Sequence, residues 1–360
     1  MSSKAAKKVF VGMSGGVDSS VTAFFLKKNG YDVVGVFMRC YNLDGCAERD
    51  AEDARRVAEH IGIPFYVWDF EEEYKRRVVD YMIEGYRAGI TPNPDVMCNR
   101  EIKFGLFLEK ALAMGADFVA TGHYVRLKAN AGGTCLLEAK DDNKDQSYFL
   151  WTLTQNQLAH CLFPIGDYVK PDVRAIARRA GLPTAEKKDS QGICFLGKVS
   201  VADFLKQYIP EKRGALMTTA GEQIGEHFGA EFYTIGQRHI DADFKFPKTG
   251  GRADREPFYV AGKDAMTNTV FVAEGNENEA LYIKEVELAN VNLIVPSPAG
   301  ELSVFARVRY RQPLAAAKLS QLENGNYKLA FAKPQKFIAP GQSAVWYSKK
   351  GEMLGGGVIL

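Results

Sequence analysis

The sequence predicts an α/β protein: a doubly wound, mostly parallel sheet, followed by a small central domain and a C-terminal β-barrel. Two observations predict the sheet. Short β-rich runs alternate with helical segments over residues 8–125, and a Gly- and Ser-rich turn directly follows the first run. The third observation is a change after residue 198, where short strands punctuated by Gly and Pro replace the alternation. We therefore place the domains at 1–197, 198–275 and 276–360.

The elements of the first domain follow from hydrophobic patterning. Asp18 or Ser19 is suited to begin the first helix, and Gly30 to end it in a left-handed turn. Predicted strands are KVFVG, YDVVGVFMRC, PFYVWDF and ADFVATGHYV, and predicted helices are DSSVTAFFLKKNG, CAERDAEDARRVAEHIG, EEEYKRRVVDYMIEGYRAG and REIKFGLFLEKALAMG. Sheets of this kind bind ligands beyond the carboxyl ends of their strands, which is where MSGGVDS lies.

The C-terminal region reads as strands separated by Gly, Pro and Asn. They are VFVAEGN, LYIKEVELANVNLI, ELSVFARVRYRQ, NYKLAFAK and SAVWYSKKGEMLGGGVIL, which favour a small barrel or sandwich. In ELSVFARVRYRQ, strand alternation predicts that Arg307, Arg309 and Arg311 share one face, spaced for a phosphate backbone. A solvated basic strand face is the alternative.

Composition limits the classes of partner. The 360 residues carry 46 basic and 44 acidic side chains, so a nucleic acid would be met by local basic faces rather than by a global field. No run of 18 apolar residues and no leader is present, which predicts a cytoplasmic protein with no membrane partner. The six cysteines include no C-x-x-C pair, so we expect thiols rather than a zinc or iron-sulfur site.

The segment VFVGMSGGVDSS is built to hold a phosphate. Its glycines let backbone amides point inward and its serines add hydroxyl donors at the start of a helix: Gly12, Gly15, Gly16, Ser14, Ser19 and Ser20. It matches neither G-x-x-x-x-G-K-[ST] nor G-x-G-x-x-G. Lacking the lysine, the cradle suits an ATP whose pyrophosphate leaves, with Asp18 as a candidate Mg²⁺ ligand. A plain Ser- and Gly-rich turn is the alternative.

Two cysteines occur in polar segments that we expect at the rim of this site. TPNPDVMCNREIKF, residues 91–104, is predicted to be a loop that carries Asp95 and Cys98 beside basic residues, which would lower the pKa of a thiol. DSQGICFLG places Cys194 between glycines, again near basic residues. Either cysteine alone is more often a buried, inert thiol, and it is the position of both at the expected rim of the site that favours a functional role.

SGGVDS resembles the PP-loop of the ATP pyrophosphatase family, whose members form an adenylate and expel pyrophosphate. Together with NPDVMCN and GICF, it makes the chain, from residue 9 onward, similar to the bacterial tRNA-specific 2-thiouridylases. The resemblance implies ATP and Mg²⁺ as cofactors and the wobble uridine of tRNAs for Lys, Glu and Gln as the target. It also implies a sulfur donor, either a cysteine desulfurase or a relay protein.

By the same resemblance, site residues carry over position by position. Cys98 would be the nucleophile and Cys194 the persulfide carrier, paired as a disulfide during the cycle; Asp95 is a candidate for proton transfer. Predicted ATP contacts are Gly12, Met13, Ser14, Gly15, Gly16, Val17, Asp18, Ser19, Met38 and Gly122. Predicted target-base contacts are Asn93, Pro94 and Asp95. Predicted tRNA contacts are His123, Lys144, Asp145, Gln146, Arg309, Tyr310 and Gln342.

Three alternatives remain open. An amidotransferase similar to GMP synthetase would share the cradle but would need an ammonia source and no paired cysteines. A 2-thiocytidine- or 4-thiouridine-type sulfurtransferase would be expected to carry C-x-x-C ligands or an added RNA-binding domain. A non-catalytic tRNA-binding protein would have no reason to keep SGGVDSS, Asp95, Cys98 and Cys194 together.

Overall fold

The structure is a computed structural model. It describes residues 6–41, 45, 47–130, 133–189, 196, 199–245, 256–295 and 300–360. Cys194 lies outside these residues. The described chain forms a parallel α/β sheet, a small central β-domain and a closed C-terminal barrel, which confirms the predicted fold class.

The helices and strands have these bounds. The strands are β1 (Lys8–Gly12), β2 (Asp32–Arg39), β3 (Phe65–Asp69), β4 (Phe118–Thr121), β5 (Arg126–Asn130), β6 (Gly133–Leu137), β7 (Cys161–Leu162), β8 (Gly214–Thr218), β9 (Gln223–His227), β10 (Ala242–Phe244), β11 (Phe258–Asp264), β12 (Thr269–Glu274), β13 (Tyr282–Leu293), β14 (Leu302–Arg307), β15 (Ala315–Gln321), β16 (Tyr327–Lys336), β17 (Ser343–Tyr347) and β18 (Glu352–Ile359). The α-helices are α1 (Val17–Lys28), α2 (Ala47–Ile61), α3 (Glu71–Tyr74), α4 (Asp80–Arg87), α5 (Pro94–Met97), α6 (Phe107–Ala113), α7 (Gln155–Leu158), α8 (Lys170–Arg179) and α9 (Val201–Leu205). π-helical turns at Lys75–Val79 and Cys98–Leu106 join α3 to α4 and α5 to α6.

The first sheet is parallel throughout, in the order β3-β2-β1-β4-β7. Buried side chains of β1 alternate between its two faces: Phe10 packs in one hydrophobic core, and Val9 and Val11 in the other. Gly12 is level with Val36 of β2 and Thr121 of β4. The carboxyl ends of three adjacent strands therefore meet at one edge.

The C-terminal sheet closes on itself. Its barrel order is β13-β16-β15-β14-β17-β18, completed by pairing between β13 and β18. The hairpin β5-β6 extends this sheet through two register pairs with β18, although it is part of the N-terminal half of the chain. The hairpin therefore ties the first domain to the barrel.

The central domain is a five-stranded sheet in the order β10-β9-β8-β12-β11, with β8 and β12 parallel and the other pairs antiparallel. It has its own small core, in which Leu216, Val260 and Val272 are buried. None of the helices in the described ranges is long and apolar enough to cross a membrane.

The expectations about the start of α1 and about strand β14 are wrong. Helix α1 has Gly16 as its N-cap, rather than Asp18 or Ser19, and no side chain caps it. Strand β14 ends at Arg307, so the predicted row of three arginines does not form. Arg307 is buried and ion-paired with Glu138 and Asp145, and Arg311 has a left-handed backbone with φ of 63°. Strand alternation fails here because the chain bends at residues 308–309 and turns at 310–311.

Candidate active site

The turn between β1 and α1 is open to an anion. The first amides of any helix lack intrahelical partners and point out of its N-terminus, and in α1 no side chain caps them. Ser19 stabilises the turn from within. Its hydroxyl accepts a hydrogen bond from the amide of Ser14 at 3.2 Å and donates one to the carbonyl of Gly16 at 3.1 Å. Gly15 has φ of 70°, and a Cβ there would lie 2.3 Å from the carbonyl oxygen of Asp50.

Predicted ATP residues from three strands converge on this turn. A Cβ on Gly122, which follows β4, would lie 2.7 Å from the amide nitrogen of Ser19. A Cβ on Gly12 would lie 2.9 Å from the terminal methyl of Met38, near the end of β2. The glycines thus permit close packing of neighbouring strand ends around the helix start. This arrangement fits a nucleotide, with its phosphates at α1 and the rest extending over the strand ends.

Asp18 does not fit the predicted role of Mg²⁺ ligand. Both of its carboxylate oxygens lie 2.8 Å from the ammonium nitrogen of Lys170, and Oδ1 also accepts the hydroxyl of Tyr124 at 2.8 Å. Within the described ranges, no three His, Cys, Asp or Glu side chains group as a metal site. A Mg²⁺ ion at this site would be held by nucleotide phosphates and water.

Lys170 connects Asp18 to Asp189. Its ammonium lies 2.9 Å from Asp189, whose carboxylate also binds Lys144 and Arg174, each at 2.7 Å. Burial alone would raise the pKa of Asp189, but hydrogen bonds from Lys144 and Lys170 outweigh it and hold the pKa at about 2. The sequence carries no local signal for Lys170, because its partners are distant in the chain.

Residues 184–189, here called the strap, pack against the start of α1 and against α2. The Thr184 hydroxyl donates to Ser20 of α1 at 2.8 Å, and Lys187 binds Asp50 and Asp53 of α2 at 2.8 and 2.6 Å. Together with Asp189, these contacts fix the strap against both helices. The strap ends five residues before Cys194 in the sequence, which itself lies outside the described residues.

Cys98 lies on a helix, not in the predicted loop. Asn93 caps α5 by accepting the amide of Val96 at 3.2 Å, and Pro94 occupies the first turn, where proline favours helix initiation. Helical structure then continues through Cys98 to Ala113. Cys98 is only 4% exposed. Asp95 is half-buried in the first turn of the same helix.

The side-chain amides of two residues stabilise the start of the helix that carries Cys98. Asn99 donates to the carbonyl of Asp95 at 3.0 Å and to that of Phe149 at 3.4 Å. Gln342 of the barrel donates to the carbonyls of Thr91 and Pro92 at 2.9 and 3.1 Å. Gln342 therefore reaches the segment of the predicted target-base contacts.

His123 connects the helix that carries Cys98 to the sheet edge at the end of β4. Its ring lies 5.9 Å from that of Phe104, between centroids, and it follows Gly122 directly. Burial, with a smaller effect of Lys103, holds the pKa of His123 well below its usual value. The ring shares a hydrogen bond of 2.7 Å with Thr121 and remains neutral at physiological pH.

The other predicted tRNA contacts are mainly engaged within the chain. Asp145 is buried and accepts the amides of Ala139 and Ser147, while Gln146 accepts the amide of Tyr124. These bonds give Asp145 and Gln146 structural roles.

On the barrel side, Arg309 donates to the carbonyl of Ile235 at 2.8 Å, and burial lowers the pKa of its guanidinium. Tyr310 packs on Phe149 with ring centroids 4.5 Å apart, under the guanidinium of Arg311. Tyr310, Phe149 and Arg311 therefore form an aromatic and cationic corner beside the helix of Cys98.

The fold and the turn define a PP-loop α/β enzyme with two appended β-domains. Family models match the chain over residues 7–198 (tRNA methyl transferase HUP domain), 202–274 (tRNA methyl transferase PRC-barrel domain) and 283–359 (aminomethyltransferase beta-barrel domain). The tRNA-specific 2-thiouridylase MnmA of Enterococcus faecalis is 46% identical over 367 residues, covering 100% of this chain and 96% of that protein. MnmA of Streptococcus sanguinis is 46% identical over 369 residues, with the same coverage. This chain therefore belongs to the tRNA-specific 2-thiouridylase family, and the prediction of an enzyme is confirmed.

Two solved structures align with part of the chain. NMN synthetase of Francisella tularensis aligns with a TM-score of 0.34 and 17% identity, over 52% of this chain and 67% of that chain. A 4-thiouridine synthetase in complex with RNA and ATP aligns with a TM-score of 0.34 and 18% identity, over 57% and 50%. Likenesses this weak support no statement about activity.

Proposed function

We propose that this enzyme replaces the C2 oxygen of the wobble uridine in tRNAs for Lys, Glu and Gln with sulfur, at the expense of ATP. The observation that carries the proposal is the convergence of the phosphate loop, Met38 and Gly122 at one sheet edge, with the helix of Cys98 packed beside it through Phe104 and His123. Family membership supports uridine thiolation; the wobble position and the three tRNAs rest on the sequence resemblance.

The first step is activation of the base. ATP places its phosphates at the start of α1, and the C2 oxygen of uridine attacks the α-phosphate, forming an O-adenylate and releasing pyrophosphate. The amides and hydroxyls of the loop stabilise charge that develops on the leaving pyrophosphate. The activation is needed because an unmodified pyrimidine carbonyl does not surrender its oxygen, whereas AMP is a good leaving group.

The second step is sulfur transfer. A cysteine desulfurase or relay protein loads Cys194 as a persulfide. The terminal sulfur attacks C2 and expels AMP, and the thiolate of Cys98 then attacks the Sγ of Cys194, releasing 2-thiouridine and leaving a disulfide between the two cysteines. In the other order, Cys98 attacks first and frees hydrosulfide, which attacks C2. Either order oxidises two thiols, so an external thiol reductant must donate two electrons before the next cycle.

Several residues would support these steps. Asp95, in the first turn of α5, is the proposed proton-transfer group, and Asn93 and Pro94 would position the base. The base must leave its stack to reach such a pocket, so contacts along the tRNA have to supply the energy. Lys144, Tyr310 and His123 remain proposed contacts for tRNA. The Mg²⁺ of the nucleotide would be held by its phosphates.

A thiolation assay tests the proposal. Purified protein, ATP, Mg²⁺ and sulfide are incubated with unmodified tRNA for Lys, Glu or Gln in turn, and digested nucleosides are read by mass spectrometry. We expect 2-thiouridine at the wobble position, with AMP and pyrophosphate in equal amounts. If AMP forms but none of the three tRNAs carries a thiolated nucleoside, the protein is still an adenylating enzyme, but the assignment of its substrate is wrong.

Cysteine variants separate the two steps. With a persulfide donor, Cys98→Ser and Cys194→Ser should both abolish thiolation, whereas sulfide should restore part of the activity of Cys194→Ser. The matched control is Cys135→Ser, because Cys135 is a buried thiol of the β5-β6 hairpin. Full activity of both test variants with the persulfide donor would contradict the proposed sulfur route.

A further inference from the structure

Lys170 is an almost fully buried ammonium beside the phosphate loop. It is the first residue of α8 and is 9% exposed. Its backbone amide donates to Oδ2 of Asp141 at 2.8 Å, which fixes the start of the helix. Its Nζ lies 2.8 Å from each oxygen of Asp18 and 2.9 Å from Oδ1 of Asp189.

The phosphate loop itself provides only neutral donors. Backbone amides and the hydroxyl of Ser14 can bind phosphate oxygens, but residues 12–17 and 19 include no cation. A triphosphate carries several negative charges, and a protein interior screens them poorly. Among the described residues, Lys170 is the cation that forms an ion pair with a side chain of the loop, through Asp18 in the first turn of α1.

The ion pairs of Lys170 leave room for a further ligand. An ammonium has three N–H groups, and here two of its three oxygen neighbours belong to the same carboxylate. One N–H can therefore turn toward a phosphate while Lys170 stays paired with both acids. Asp18 still accepts the hydrogen bond from the hydroxyl of Tyr124, and Asp189 still forms ion pairs with Lys144 and Arg174.

We propose that Lys170 is the phosphate-binding lysine of this site and donates one N–H to the β- or γ-phosphate of ATP. Asp18 and Asp189 hold the ammonium in place, so a side chain from α8 supplies the charge that other phosphate loops carry within the loop itself. The same contact would stabilise pyrophosphate as it leaves. The inference rests on the proposed function in taking ATP as the ligand.

Nucleotide binding to Lys170→Met tests the assignment. The probes are α,β-methylene-ATP and AMP, titrated calorimetrically into the full-length protein without tRNA. We expect affinity for the triphosphate analogue to fall about 10- to 100-fold, the range for loss of one charge-assisted hydrogen bond, and affinity for AMP to change less than about 2-fold. The binding of inorganic pyrophosphate should weaken in parallel with that of the analogue.

Two further variants control for folding and charge. Lys318→Met removes a lysine from an exposed ion pair of the C-terminal barrel, with Glu301, and its affinity for the analogue should stay within about 2-fold of wild type. Lys170→Arg keeps a cation and should recover most of the triphosphate affinity. If Lys170→Met does not fold, Lys170→Gln is measured in its place against Lys170→Arg.

The outcomes separate the inference from the proposed function. Unchanged affinity of Lys170→Met for the analogue overturns the assignment, and so does an equal loss for AMP and analogue, because that pattern means a disrupted loop. The assignment is supported if Lys170→Met weakens binding of the triphosphate analogue but not of AMP, and if Lys170→Arg restores the lost affinity. A wild-type protein that binds neither AMP nor the analogue overturns the proposed function itself.

Discussion

Gln342 of the C-terminal barrel donates its side-chain amide to the backbone carbonyl of Thr91, at 2.9 Å, across 251 residues of sequence. The contact is reinforced because the amide of Thr91 donates to the carbonyl of Pro340 at 2.8 Å. Between them, Gly341 has φ of 89°, and a Cβ there would lie 2.9 Å from the carbonyl oxygen of Thr91. The barrel is therefore hydrogen-bonded to the segment that leads into the helix of Cys98.

Gln342→Ala should loosen this segment without affecting the nucleotide site. Two hydrogen bonds are lost, each contributing about 1 kcal/mol, so we expect thiolation under saturating ATP to slow by up to about 30-fold. Affinity for ATP, measured by calorimetry, should stay at the wild-type value. The matched control is Gln321→Ala, an exposed glutamine of the same barrel. A parallel loss of ATP binding would argue against a role confined to the Thr91 segment.

Gly122→Ala should damage the phosphate loop directly. The added methyl would meet the amide nitrogen of Ser19 at 2.7 Å and the carbonyl carbon of Asp18 at 2.8 Å, so the start of α1 has to move. We expect ATP binding to weaken at least about 10-fold, because the amides that face the phosphates shift with the helix. Calorimetric titration with α,β-methylene-ATP measures the effect.

Gly262→Ala is the control for this substitution. A Cβ on Gly262, in the central domain, would make only ordinary contacts with Phe271, at 3.9 and 4.0 Å. Its nucleotide affinity should equal that of wild type. If Gly122→Ala bound the analogue equally well, the packing of the β4 end on α1 would not be needed for the site.

Arg307 should be needed for stability rather than for tRNA binding. Its buried guanidinium pairs with Asp145 at 3.4 Å and with Glu138, and it lies 5.0 Å from the ring centroid of Tyr347. Burial raises the pKa of Glu138, with Arg307 acting in the opposite direction. Arg307→Met would leave two carboxylates unpaired, so we expect a loss of about 3–5 kcal/mol in the free energy of unfolding by urea.

Arg311→Met provides the contrast, because Arg311 is exposed. Its free energy of unfolding should change by less than about 0.5 kcal/mol. Weaker tRNA binding by Arg311→Met with normal stability would place the RNA-facing charge at Arg311. Equal stability of the two variants would show that the buried ion pairs are not needed for the fold.

The parallel sheet could be predicted because its signals are local. Alternating strands and helices, Gly30 after α1 and the turn after β1 are all visible within short windows of sequence. The loop predicted around Cys98 is wrong because Pro94 resembles a helix breaker, yet proline is also favoured in the first helical turn, and Asn93 caps that turn. Which of these two roles a proline takes depends on its neighbours in the folded chain.

The remaining parts of the site depend on contacts between distant segments. Lys170 meets Asp18 across 152 residues, and Arg307 meets Asp145 across 162. The hairpin β5-β6 joins the barrel through β18, more than 200 residues later in the chain. No single sequence window holds both partners of these contacts, so pattern and spacing could not reveal them.

Lys263 should make stability depend on pH. Its ammonium donates to the carbonyl of Tyr233 at 2.8 Å and lies 5.8 Å from the ring centroid of Tyr86. Burial lowers its pKa to about 8, against a smaller opposite effect of Glu231. The unfolded chain, with a pKa near 10.4, then binds more protons than the folded protein above pH 8. Stability contributed at this site therefore rises with pH, by at most about 1.4 kcal/mol per unit.

Urea unfolding of wild type and Lys263→Met at pH 7.0, 8.5 and 9.5 measures this effect. The difference between the two proteins isolates Lys263 from other groups that titrate in the same range. The free energy of unfolding of wild type should rise relative to that of the variant between pH 8.5 and 9.5, because the penalty for burying the ammonium disappears as Lys263 loses its proton. Below about pH 7 the difference should be nearly constant, since the amine is protonated in both states. A difference that stays flat from pH 7.0 to 9.5 would mean that Lys263 keeps an ordinary pKa and that Tyr233 and water solvate its charge fully.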